Sequence, residues 1–104
     1  MIAASAAGLS ASVARVPTHS ASRYLQQLAK HWSHKMTVVF SAEEATIDFP
    51  NGVRLAMRAD ADSLDCVLTV PDGEDAERMR GVVASHLDRF AFREAPLTFD
   101  WREG

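Results

Sequence analysis

From residue 36 to residue 70, apolar and polar side chains alternate with a period of two, the pattern of strands that bury one face and show the other to water. Four successive strands are predicted, over 36–40, 45–49, 53–59 and 64–70. Their inward sets, Met36/Val38/Phe40, Ala45/Ile47/Phe49, Val53/Leu55/Met57 and Leu64/Cys66/Leu68/Val70, contain only apolar residues. Pro50-Asn51-Gly52 suits a three-residue hairpin loop, with Pro in a type I turn and Gly in the left-handed position. That loop pairs Phe49 with Val53. Counting outward then sets Asp48 opposite Arg54, Ile47 opposite Leu55 and Glu44 opposite Arg58. The next loop, 60–63, sets Arg58 beside Asp65, and cross-strand pairs of this kind contribute roughly 0.2 to 1 kcal/mol each.

On either side of this meander the period changes to that of a helix. Pro17 fixes a turn, Thr18 or Ser20 can cap, and Ala21, Tyr24, Leu25, Leu28, Ala29 and Trp32 form one continuous stripe. This first helix is expected to end near Ser33 or His34, and a short strand over 12–16 precedes it. After Pro71, Asp72 is positioned to cap a second helix whose stripe is Ala76, Met79, Val83, Leu87 and Phe90, with His86 at its margin. Leu97, Phe99 and Trp101 then alternate as a last strand. The order is β-α-β-β-β-β-α-β. It predicts an α+β fold in which a twisted antiparallel sheet carries both helices on its single apolar face.

Composition narrows the function classes. With 104 residues, 47% of them hydrophobic and 24% charged, the chain has room for one core. Residues 11–104 are expected to form a single domain behind a mobile Ala- and Ser-rich tail, 1–10, which lacks the basic start of a secretory signal. A net charge of -3 with interspersed signs argues against nucleic acid as a partner. No apolar run approaches the ~20 residues that cross a bilayer. One cysteine, Cys66, cannot form an internal disulfide, so the cytoplasm is the expected location.

Several blocks carry a family resemblance: Arg15-Val16-Pro17-Thr18, Ala21-Ser22-Arg23-Tyr24-Leu25-Gln26-Gln27-Leu28, Lys30-His31-Trp32-Ser33-His34-Lys35, and His86-Leu87-Asp88-Arg89-Phe90-Ala91-Phe92-Arg93-Glu94. Together they resemble a family of small bacterial proteins catalogued as domain of unknown function 2218, over nearly the whole chain from about Ala14 to Trp101. The resemblance implies a TATA-binding-protein-like arrangement and no known activity. Relatives near siderophore-uptake proteins imply a loose link to iron biology. The position held here by Ala29 is often a cysteine in the family, which argues against a thiol-dependent role for this chain.

Two groups of residues are candidates for chemistry. His31 and His34, three apart near the end of the first helix, can present two imidazoles to one divalent metal, the one cofactor the residues admit. The competing account is that His and Lys at a helix C-terminus complement its dipole. If strand direction alternates through the meander, the helices run antiparallel. His86 is then expected far from His34, while His31 and His34 face Asp72, Glu74 and Asp75, as a mixed metal site or an electrostatic clasp. The same tracing brings His19, Ser20 and Arg23 near His86, Arg89 and Arg93 beside the free N–H groups of the first helix, a constellation that can bind a small anion. The alternative there pairs Arg89 and Arg93 with Asp88 and Glu94.

Signals for an enzyme are weak. There is no Gly-x-Ser-x-Gly elbow, phosphate-cradling glycine loop or cysteine pair. Cys66 points inward, where a thiol is usually inert, and Asp60, Asp62 and Asp65 read as a hairpin turn more readily than as a calcium loop. The sheet's outer face mixes charges with the small apolar residues Val39, Ala56 and Val67, a surface that can pair with a second copy. The leading expectation is a non-catalytic binding or interaction module for an unidentified small ligand or protein, able to self-associate through the open sheet face. Its rivals are a metal-binding protein using His31 and His34, and an enzyme acting on a small anion near His19, His86 and Arg89.

Overall fold

The structure, a computed structural model, describes residues 9–104. The mobile-tail reading falls on residues 1–8, outside the described residues, and on Leu9 and Ser10, which open the first strand. The elements are β1 (Leu9–Pro17), α1 (Ala21–Trp32), β2 (Thr37–Phe40), β3 (Glu44–Asp48), β4 (Arg54–Ala59), β5 (Ser63–Pro71), α2 (Ala76–Phe90) and β6 (Arg102–Glu103). All pairings are antiparallel, in the order β2-β3-β4-β5-β1-β6. β1 and β2 therefore point the same way, and α1 is the crossover that carries the chain from the strand beside β6 across the sheet to the opposite edge.

The register follows from the hairpin loop. Gly52 adopts φ +87°, and the Phe49 N–H donates to the Val53 carbonyl at 2.8 Å, closing the Pro50-Asn51-Gly52 turn. Asp48 then faces Arg54, Ile47 faces Leu55 and Glu44 faces Arg58; on the next ladder Arg58 faces Asp65. Ala45, Ile47, Val53, Leu55, Met57, Leu64, Cys66, Leu68 and Val70 are all buried on one face. Phe40 departs from its expected inward set. It ends the edge strand β2 with no neighbour beyond it, and is 37% exposed.

α1 forms because its apolar positions recur at i, i+3 and i+4, and every member of the stripe, Ala21 through Trp32, is buried. It lies over β2 to β5, while α2 packs on β5 and against α1 through Met79, Val83 and Leu87. Burial of each such Leu or Val stabilises the fold by about 1.5 to 3 kcal/mol relative to exposure. Trp32 closes the end of this layer, its ring 5.0 Å from that of Phe49 in an edge-to-face contact.

Two boundaries differ from the pattern. The cap of α2 is Asp75, whose Oδ1 accepts from the Arg78 N–H at 3.0 Å, not Asp72. Asp72 is used in a turn, in which the Glu74 N–H reaches the Pro71 carbonyl at 3.2 Å and Gly73 adopts φ +93°; the chain must reverse before it can start a helix. Leu97, Phe99 and Trp101 do alternate inward, but they form no ladder. The Leu97 N–H is held by Asp88 Oδ1 at 2.9 Å; the chain reaches β1 at Arg102 and Glu103, opposite Val13 and Ser12, and the Gly104 N–H donates to the Ala11 carbonyl at 2.9 Å.

Candidate functional site

Beside the polar flank of α1 lies an open cleft of about 750 Å³. Its far wall is made by the β2–β3 turn, with Ala42 and Glu43, and by the β4–β5 turn, with Ala59, Asp60 and Ala61. The turn is fixed to the helix by Ser22, whose hydroxyl donates to the Ala42 carbonyl at 2.6 Å and accepts from Gln26 Nε2 at 3.0 Å. Arg23, Gln26, Gln27 and Lys30 line the helix wall because they fall three and four apart, opposite the buried stripe. His19 and Ser20 complete the entrance.

The electrostatics of this cleft are mixed. Arg23 and Lys30 form no ion pair among the described residues, whereas His19 Nδ1 lies 3.4 Å from Asp62 Oδ1. Ser20, the N-cap of α1, makes no capping hydrogen bond with its side chain, so the first-turn N–H groups keep their anion-attracting character. Gln27 borders the cleft with its Oε1 turned away from solvent, buried without a hydrogen-bond partner among the described residues. A buried amide oxygen left in that condition costs the fold about 1 to 3 kcal/mol. Glu43 and Asp60 add acceptors on the far wall.

The sequence-predicted residues separate into different places. His19 and Arg23 do meet at the start of α1, but His86, Arg89 and Arg93 do not line the cleft with them. His86 instead packs on Trp32 at a ring separation of 4.9 Å and on His31 at 5.7 Å. The expectation that His86 stands far from the end of α1 is thereby corrected. Helix direction is as expected, since Tyr24 meets Glu94 while Trp32 meets His86, but α2 begins beyond the end of α1, so its last turns, with His86 and Phe90, meet His31. His31 faces these rings and not Asp72, Glu74 and Asp75; Glu74 accepts from Asn51 Nδ2 at 3.0 Å and Asp75 caps its own helix.

The alternative pairing for Arg89 and Arg93 is also revised. Asp88 holds the Leu97 N–H, Arg93 lies over the Phe92 ring at 5.7 Å, and Glu94 accepts from the hydroxyls of Thr18 and Tyr24. The hydrogen bond to Glu94, with burial second, holds the Tyr24 phenol above its usual value of 10.0. His34 falls in the turn after α1, where the Lys35 and Met36 N–H groups return to the Trp32 carbonyl. Among the described residues no three His, Cys, Asp or Glu side chains form a group that can hold a metal ion. Burial pushes the Cys66 thiol up to about 12, with Asp65 adding to the effect, which keeps it from acting as a thiolate.

Lys30, Gln26, Gln27 and Glu43 do not stand out in the sequence, and Asp60 stands there only as part of a hairpin turn. The helical members read as an ordinary solvated face, and nothing local says that two hairpin turns stand opposite them. Among the described residues no helix is long and apolar enough to cross a membrane.

None of the curated proteins matches the chain. PA4090 from Pseudomonas aeruginosa, solved by NMR, is similar to it in structure with a TM-score of 0.73 and 35% sequence identity, over 89% of this chain and 95% of that one. A family model described as an uncharacterised protein conserved in bacteria matches residues 13–102. The chain thus belongs to the bacterial DUF2218 family, in agreement with the resemblance carried by its helix-end blocks.

Proposed function

We propose that this domain is a cytoplasmic, non-catalytic binding module for a small polar anion, held in the cleft beside α1. The observation that carries this reading is the two-sided lining of that cleft. His19, Arg23, Lys30 and an uncapped helix start face one way, and Glu43 and Asp60 supply acceptors on the opposite wall. Such a lining suits a carboxylate or phosphate that also carries a hydroxyl or amino donor. The order of strands and helices supports a TATA-binding-protein-like reading of the fold.

The test must separate site binding from general salt effects, because sulfate, phosphate and citrate stabilise folded proteins by exclusion from their surfaces. Melting temperatures of wild type, Arg23→Ala and Lys30→Ala are compared in each anion, with Arg89→Ala as a substitution outside the cleft. The module reading expects citrate, which carries a hydroxyl, to stabilise wild type and Arg89→Ala more than the two cleft variants. Equal shifts in all four proteins would refute it.

A second reading, self-association through the open sheet face, is favoured by one observation. The register aligns Val39, Thr46, Ala56, Val67 and Val13 in a single row across five strands, with Val39 72% and Val67 40% exposed. Light scattering that gives a monomer mass at high protein concentration would remove this reading.

A further inference from the structure

We infer that His31 and His86 form a two-imidazole site for a borderline transition-metal ion, such as zinc or nickel, that bridges the two helices. The site is separate from the cleft: neither residue lines it, and the two come from different elements, 55 positions apart by their numbers.

Three features of the pair support this assignment. The first is distance. Metal–nitrogen bonds of about 2.0–2.1 Å to two imidazoles hold the ring centres roughly 4.5 to 6 Å apart, depending on the bond angle. The rings of His31 and His86 are 5.7 Å apart, with planes at 47°. That separation falls inside the range that two imidazoles on one ion require.

The second feature is the tautomer of His86. Its Nδ1 lies 2.7 Å from the Val82 carbonyl oxygen, which can only accept, so Nδ1 is the donor. Neutral His86 therefore carries its proton on Nδ1 and keeps its lone pair on Nε2. A backbone carbonyl that fixes one ring nitrogen in this way is the arrangement that orients a histidine for metal through the other.

The third feature is the wall around the pair. Trp32 lies 4.9 Å from the His86 ring, and Phe90 meets the His31 ring edge-on at 5.9 Å. These aromatic contacts limit ring rotation, so less side-chain entropy is lost when an ion is taken up. His31 is exposed and His86 half-buried, which leaves the outer side open for water to complete the coordination sphere. With two protein ligands the site is expected to be weak beside closed structural zinc sites. Imidazole donors favour zinc, nickel and copper over magnesium or calcium.

Tag-free protein is titrated with ZnCl₂ or NiCl₂, and with MgCl₂ as the hard-cation control, while the melting temperature is followed. A rise of about 5 to 10 °C is expected with zinc held at ten times its Kd, and none with magnesium. The rise should vanish in His31→Gln and in His86→Phe, which keeps an aromatic ring against Trp32, and should persist in His34→Gln. Ring-nitrogen NMR signals of His31 and His86 should move with zinc while those of His19 stay. No rise in wild type would overturn the proposal. So would a rise that survives His86→Phe but is lost in His34→Gln, since the ion then belongs to the sequential pair.

Discussion

Tyr24 and Glu94, 70 residues apart in the chain, are joined by a hydrogen bond from the phenol to the carboxylate. Thr18 Oγ1 lies 3.0 and 3.1 Å from the two oxygens of the same carboxylate, so one acidic residue beyond α2 fastens the first turn of α1. Tyr24 is only 5% exposed, and Tyr24→Phe leaves its ring in place while removing the donor. The expected loss is about 1.5 to 3 kcal/mol in urea unfolding, the usual size for a hydrogen bond to a charged partner. Glu94→Gln, which keeps a carbonyl acceptor, should cost less. Equal stability of Tyr24→Phe and wild type would show that Thr18 alone satisfies the carboxylate.

The same bond sets a pH dependence. The Tyr24 phenol is held above 10.0 by Glu94 and by burial, and burial lifts the Cys66 thiol from 9.0 to about 12. Both groups lose their protons sooner in the unfolded chain than in the native one, so above these unfolded values the native state binds more protons and stability falls as pH rises. Melting temperature should be insensitive to these two groups below pH 9.0 and decline above it. Cys66→Ala should remove the part of the decline that begins first, and Tyr24→Phe the part that begins above 10.0. A flat profile up to pH 11 would contradict both assignments.

The start of α2 is tested by two neighbouring aspartates. Asp75 accepts the Arg78 N–H, so Asp75→Ala should cost about 0.5 to 2 kcal/mol, as removal of an N-cap side chain does. Asp72 occupies the preceding turn and accepts no hydrogen bond from the helix start, so Asp72→Ala should stay within about 0.5 kcal/mol. Chemical denaturation of the two variants side by side decides the point, and a reversed ranking would place the cap at the earlier position.

Glycine substitutions probe the hairpin. Gly52 holds φ +87°, and a Cβ there would stand 3.3 Å from Pro71 Cγ, so Gly52→Ala should destabilise by more than about 1 kcal/mol. Gly81 lies inside α2 with open space around it, and Gly81→Ala should stabilise by about 0.5 to 1 kcal/mol through helix propensity. Thermal melts of both variants provide the comparison.

The charged pairs of the outer face show where pattern and structure part. Asp48 and Arg54 stand opposite each other as the turn count requires, and they do form an ion pair at 2.6 Å. Asp65 faces Arg58 on one side and Arg15 on the other, and the ion pair it makes, at 3.9 Å, is with Arg15. The meander could be counted from its turn, but β1 has no hairpin connection to β5. Its place beside that strand is a matter of which edge remained open.

The sequence by itself determined the two helices, the order of the first seven elements, the register of the four-strand meander and, Phe40 apart, the buried face of its strands. These depend on neighbours along the chain: the two-residue pleat, the helical stripe, and a proline–glycine turn that admits one loop geometry. Only the tertiary structure decided how far α2 slides along α1, and that offset brings His31 to His86, gives Glu94 to Tyr24 and leaves His19 and Arg23 in a cleft without His86. The reason is physical. An apolar stripe fixes which side of a helix is buried but is nearly uniform along its length, so the axial position comes from how Trp32, Phe49 and the other large side chains fit together, and that fit leaves no mark on any local pattern.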